Sequence, residues 1–224
     1  MRARSFVAAV LIFTLIALVG AGLVGIGAFW RSRDTRGWVD PAAEGDLPFR
    51  QPLLGVNVEL TQYTPDQLEV ELNQIARIGF VWLRQTFSWA EIEPTPGAFD
   101  FSLYDPLIKA VQKYPSLRLV AVLDSAPDWA RRPEASDRLF APPQSMAAFA
   151  RFGAEVAKRY GAVIDHYQVW DEPNLNTHWG GLDPRPADYA AMLKAVYPAL
   201  KANDPEAVVI TAGFAPTVET GPRN

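Results

Sequence analysis

Over residues 53–213 short β-rich runs alternate with amphipathic helical stretches, the signature of βα units that feed a parallel sheet. Ahead of them, residues 6–30 (FVAAVLIFTLIALVGAGLVGIGAFW) hold no ionisable side chain, and about 20 apolar residues are enough for a helix to cross a bilayer. No G-x-G-x-x-G turn follows the first β-run, which disfavours an open doubly wound sheet, where such a turn usually marks the ligand site. The predicted fold is therefore α/β, of (β/α)8 TIM-barrel type. It is incomplete, with about five βα units, because a closed barrel takes about 250 residues. A transmembrane helix precedes it.

The chain divides into a short tail at 1–5, a transmembrane signal anchor at 6–30, a linker at 31–51 and the partial barrel at 52–224. A cleaved signal peptide is the competing reading of 6–30, but its apolar region usually runs only about 7–15 residues. Arg2 and Arg4 precede the anchor and Arg31, Arg33 and Arg36 follow it, so the positive-inside count is balanced. A short tail is more easily kept in the cytoplasm than a long domain. The expectation is a single-pass, membrane-anchored protein with its domain on the extracytoplasmic side. The linker lacks apolar periodicity and contains Pro41, Gly45 and Pro48.

Residues 53–60 (LLGVNVEL) are the first predicted strand. Thr64, Pro65 and Gln67 then supply an N-cap, a proline at the first helical position and a capping-box partner. Leu68, Leu72 and Ile75 follow on one face, and Gly79 closes the helix. Residues 80–87 (FVWLRQTF) are the second strand. Leu103, Leu107, Ala110, Val111 and Tyr114 mark the next helix, and 117–124 (LRLVAVLD) the third strand. A helix over 145–160 turns Met146, Phe149, Phe152, Val156 and Tyr160 inward. Residues 163–170 (VIDHYQVW) are the fourth strand. The last helix carries Tyr189, Leu193, Val196 and Leu200, with a bend expected at Pro198, before the fifth strand at 207–213.

Composition narrows the chemistry. With 49% hydrophobic and 21% charged residues the chain can build a core, which excludes low-complexity disorder. The formal charge is −4, and five of the basic residues lie within the first 36, so the body is more acidic still. A polyanion would be repelled, and no nucleic-acid partner is expected. There is no cysteine, and the two histidines form no HExxH pattern, so neither a metal site nor a cofactor is implied.

The chemistry-bearing segment is 167–181 (YQVWDEPNLNTHWGG), at the C-terminal end of the fourth strand, the end of a parallel sheet that carries function. Asp171 and Glu172 are adjacent acids before a strand-ending proline. Trp170 and Trp179 on either side are expected to wall them off. Aromatic walls desolvate a carboxylate and favour the protonated form that a general acid needs. A plain solvated loop start is the alternative. Strict alternation would put Trp170 and Glu172 on one face and Asp171 on the other, so both acids reach a common site only if the strand ends or bulges there.

The W-D-E-P-N of 170–174 resembles the W-N-E-P-N strand-four motif of clan A glycoside hydrolases, and most resembles family 39. Residues 87–101 (FSWAEIEPTPGAFDF) are similar to the W-x-x-I-E-P-x-x-G-x-F-D-F stretch that follows strand two in that clan, with Arg84 at its strand-two arginine. The resemblance covers 53 to 224, five of eight units. It implies a retaining O-glycoside hydrolase acting on carbohydrate. Glu172 takes the catalytic general acid/base position and Asp171 the position of an asparagine that binds the sugar 2-hydroxyl. Asp can accept such a bond but not donate it. The family's nucleophile stands at the end of strand seven, so it is expected to be missing from this chain, although Glu59, Glu91, Glu93 and Asp124 are acids at hand.

Arg84 and Asn174 are expected to position sugar and carboxylates, although Arg84 also fits an internal salt bridge. Asn57 could bind hydroxyls, with turn chemistry as its alternative. Trp89, Trp129 and Trp179 could stack on sugar rings or simply pack. Asp124 lies at the functional end of strand three, where it could bind substrate or cap a turn. His166 is mid-strand and reads as core, whereas His178 lies in the active-face loop. A membrane-anchored carbohydrate-binding or scaffold protein without catalysis is the alternative function, motivated by Asp171 and the absent nucleophile.

Overall fold

A computed structural model describes residues 2–34, 54–136 and 140–217. It falls into two units, Met1–Arg50 and Gln51–Asn224. In the first, helix α1 spans Arg2–Asp34. It begins before residue 6 and runs past residue 30, so the expected tail is instead its opening turn. Neither flank holds a proline or glycine, and Arg and Ala are good helix formers. The stretch Ile12–Trp30 is long and apolar enough to cross a membrane. From residue 35 the predicted linker lies outside the described residues.

The second unit is built on one parallel sheet with strands β1 (Gly55–Val58), β2 (Trp82–Ser88), β3 (Arg118–Asp124), β4 (His166–Val169) and β5 (Val208–Thr211). Each strand pairs with the next, in the order β1-β2-β3-β4-β5. A doubly wound sheet reverses direction at a switch point. This one does not, and its order is that of successive barrel staves.

The helices are α2 (Pro65–Ile78), α3 (Trp89–Ile92), α4 (Asp105–Val111), α5 (Met146–Tyr160) and α6 (Pro186–Asn203). For α2 the expected capping box is present, with Thr64 and Gln67 each bonding the other's backbone N–H. Gly79 ends it at φ 97°, a left-handed conformation that glycine adopts without cost. Ser145 caps α5 through the Ala148 N–H at 3.2 Å. Helix α6 runs on through Pro198. The single-turn α3 had no periodicity to announce it and starts where the Ser88 side chain takes the Glu91 N–H.

Alternation along β2 gives the sheet two distinct faces. Leu83, Gln85 and Phe87 are fully buried on the helix side, with Leu119, Ala121 and Leu123 of β3 and Tyr167 and Val169 of β4. Phe149, Phe152, Val156, Val196 and Leu200 of α5 and α6 belong to the same core. Each such side chain contributes about 1.5–3 kcal/mol by leaving water. On the other face, register places Asn57, Arg84, Val120 and His166 in one row across four strands. His166 is half-buried rather than core, edge-on to Trp82 at 4.7 Å, and desolvation lowers its pKa.

Candidate functional site

The inner row supplies one clamp. Arg84 reaches three partners on and beside two strands, β1 and β4: its Nε donates to Gln168 Oε1 at 3.0 Å, Nη2 to Asp171 Oδ1 at 2.6 Å and Nη1 to Asn57 Oδ1 at 3.3 Å. Gln168 in turn donates from Nε2 to the Trp170 carbonyl at 2.7 Å and to Asp171 Oδ1 at 3.2 Å. One oxygen of Asp171, Oδ1, thus takes two donors.

Asp171 gets there because the chain breaks alternation on both sides of it. Trp170 has φ 66° and Glu172 φ 42°, left-handed conformations that cost a non-glycine residue roughly 1–2 kcal/mol each. Strand β4 therefore ends at Val169. The turn at Trp170 swings its indole into the helical layer, where it meets Phe149 at 5.8 Å and Trp179 at 5.9 Å. Asp171 is freed to the inner face. Glu172 is pinned by its own N–H, which donates to the Gly213 carbonyl beyond β5 at 3.2 Å, and its carboxylate Oε2 lies 3.4 Å from His178 Nδ1. The expected aromatic wall is absent, since Trp170 and Trp179 are buried in the core while the side chains of Asp171 and Glu172 stay 31% and 35% exposed.

Asp124 ends β3 in line with Ser88 of β2. It is buried, its Oδ1 accepts from Ser125 Oγ at 2.7 Å, and Ser125 has φ 58°. Burial pushes its pKa up to about 6; the Ser125 hydroxyl opposes this, the Asp171 charge adds to it, and Arg84 opposes it more weakly.

Other candidates stand elsewhere. Asn174 bonds both backbone groups of Ala215, at 2.9 and 3.0 Å, so its amide ties the loop after β4 to the segment after β5 instead of joining Arg84. Trp89 is fully buried, stacked on Phe152, with its indole N–H on Glu93 Oε2 at 2.6 Å. Trp179 is fully buried as well. Neither has a face open to a sugar ring. Trp129 is half-buried and edge-on to Trp89, donating to the Glu93 carbonyl at 3.0 Å. Asn57 is exposed and accepts from Arg84.

Sequence reasoning passed over Gln168 and counted Glu93 only among the acids at hand. Gln168 could have been found by counting two residues on from His166 along the inner face. Glu93 is a buried carboxylate that takes the Trp89 indole and, at 2.7 Å, the Gly97 N–H, which fixes the loop after β2. Among the described residues no group of three potential ligands could hold a metal ion.

Solved structures with a similar fold include clan A glycoside hydrolases. Among them is a family 39 glycoside hydrolase from the gut symbiont Bacteroides cellulosilyticus WH2. It is 24% identical, with a TM-score of 0.58, over 71% of this chain and 31% of that one. A monomeric beta-xylosidase from Caulobacter crescentus CB15 is 17% identical, with a TM-score of 0.55, over 70% and 34%. The GH5_18 protein from Streptomyces cattleya, solved with GlcNAc, is 17% identical, with a TM-score of 0.59, over 73% and 44%. At such identities the likeness is one of fold, and the match spans less than half of each of these chains. The profile of glycoside hydrolase family 42, described as beta-galactosidase, matches residues 59–135. No curated protein matches the chain significantly.

Proposed function

We propose that this chain carries the acid/base half of a retaining O-glycoside hydrolase site that acts on carbohydrate outside the cytoplasm. The observation that carries the reading is the pair of left-handed residues around Asp171, which sets Asp171 on Arg84 and leaves the Glu172 carboxylate at the open C-terminal end of β4. Glu172 would give its proton to the leaving oxygen and then take one from water. Asp171 Oδ2 would accept a bond from a sugar hydroxyl, with Arg84 and Gln168 fixing its plane. The retaining mechanism needs a second carboxylate about 5–5.5 Å from the first. The proposal takes it from barrel strands beyond the five described here. The apolar stretch of α1 would hold the protein to the membrane as a single-pass anchor with the domain outside, and a cleaved signal sequence is the competing role for it.

The test is turnover by the full-length protein on aryl xylosides, galactosides and mannosides. Glu172→Gln should lower kcat by roughly 10²–10⁴-fold with folding intact. Unchanged turnover removes Glu172 from the acid/base role. The second reading, a membrane-anchored carbohydrate-binding protein without catalysis, draws on Asp171, an acceptor-only anion already committed to Arg84. It predicts calorimetric sugar binding without hydrolysis.

A further inference from the structure

Glu172 and Trp170 flank Asp171, and both approach one residue, His178. The Trp170 indole N–H donates to the His178 carbonyl at 3.0 Å, and the His178 imidazole Nδ1 lies 3.4 Å from Glu172 Oε2. The loop that carries His178 is fixed by its own backbone. A 3-10 turn over Asn176–His178 is closed by the His178 N–H on the Leu175 carbonyl at 3.1 Å and the Gly181 N–H on the Asn176 carbonyl at 2.7 Å. Gly180, at φ 70°, packs so closely that an added Cβ would stand 2.8 Å from the Ala141 backbone and 2.9 Å from the Ala135 side chain. The imidazole itself rests on the Phe140 ring at 4.7 Å, with Thr177 Oγ1 at 3.3 Å from Nδ1. Indole bond, turn and glycine contact constrain the backbone of His178 and the ring contact its side chain, which is about a quarter exposed beside a carboxylate about a third exposed.

We propose that His178 is the positioning residue of Glu172: its Nδ1 engages Oε2, so that Oε1 is the oxygen turned to the substrate. The inference rests on the acid/base reading of Glu172. In the first step the Oε1 proton moves to the glycosidic oxygen. The anomeric C–O bond breaks with both its electrons on that oxygen, while a lone pair of the second carboxylate forms the new bond to the anomeric carbon. Glu172 is left as a carboxylate, and the N–H of His178, with the proton on Nδ1, faces the charge that has just formed. In the second step Oε1 takes a proton from the attacking water as the water oxygen bonds to the anomeric carbon, and the bond from that carbon to the second carboxylate breaks with both electrons on the carboxylate oxygen. His178 exchanges no proton in either step.

This role has a signature that a purely structural one lacks, because only substrates with poor leaving groups need the acid. With the full-length protein, kcat/KM would be measured on an alkyl glycoside and on the 2,4-dinitrophenyl glycoside of the same sugar. His178→Phe keeps a ring against Phe140 and removes the nitrogen. It should cut kcat/KM on the alkyl glycoside about 10- to 100-fold and leave the dinitrophenyl value within about threefold. His178→Asn places an amide nitrogen near the position of Nδ1 and should recover most of the loss. Glu172→Ala, the control, should show the same asymmetry more strongly. If Glu172→Ala shows it and His178→Phe slows both substrates equally or neither, the positioning role is overturned and the acid/base reading stands. If the unaltered protein hydrolyses neither glycoside, the acid/base reading falls and takes this inference with it.

Discussion

Arg84 Nη2 stands 2.6 Å from Asp171 Oδ1, joining β2 to the turn after β4 across the inner face of the sheet. Asp171→Asn would keep an oxygen for Arg84 and Gln168 and present an N–H where Oδ2 now only accepts. Both partners are about a third exposed, so the lost charge pairing should cost no more than about 1 kcal/mol in urea denaturation. The N–H should tighten binding of a sugar with a free 2-hydroxyl relative to its 2-deoxy analogue, measured by calorimetry. An equal change for both sugars would place that hydroxyl elsewhere.

Asp124 makes stability depend on pH. Its folded-state pKa of about 6 lies above the ordinary carboxyl value of 3.8, so between these two the folded form holds the proton more tightly than the unfolded one. Its stabilising contribution is full below about pH 4 and is lost as pH rises through about 6, by on the order of 2–3 kcal/mol. Asp124→Asn retains an oxygen for Ser125 and should flatten this part of the profile, with its largest gain above pH 6. Parallel profiles for the two proteins in denaturant titrations would contradict the assignment.

Trp89 and Glu93 should matter to folding and not to ligand. Glu93 is buried with the Trp89 indole and the Gly97 N–H on its carboxylate, and removing it leaves both donors unpaired. Glu93→Ala is expected to cost about 2–6 kcal/mol, about 1–3 for each unpaired donor. Trp89→Phe should lower the denaturation midpoint while sugar affinity stays within about twofold, because the ring it replaces has no exposed face. A large affinity loss with unchanged stability would return Trp89 to the binding surface.

Asn174 is a joint between two loops. Asn174→Ala removes both bonds to Ala215 and should cost about 1–2 kcal/mol. Hydrogen exchange should then quicken in the segment after β5 and stay unchanged at Arg84. Loss of protection around Arg84 would place Asn174 back within the clamp.

The sequence alone determined the βα alternation, the capping box of α2, the apolar stretch of α1 and the two segments that resemble clan A glycoside hydrolases. These are written in local periodicity, in the Thr64 to Gln67 spacing and in contiguous motifs, none of which needs a distant partner. It also placed Asp171 and Glu172 at the C-terminal end of β4 and raised the question of alternation there. Tertiary structure decided the answer, by holding Trp170 and Glu172 at positive φ through bonds to Leu123, Gly213 and His178. It likewise decided that Trp89 and Trp179 are core, that Asn174 is a loop tie and that Gln168 belongs to the clamp. The direction of a side chain at a strand end follows from one backbone torsion, and that torsion is fixed by packing between segments far apart in the chain.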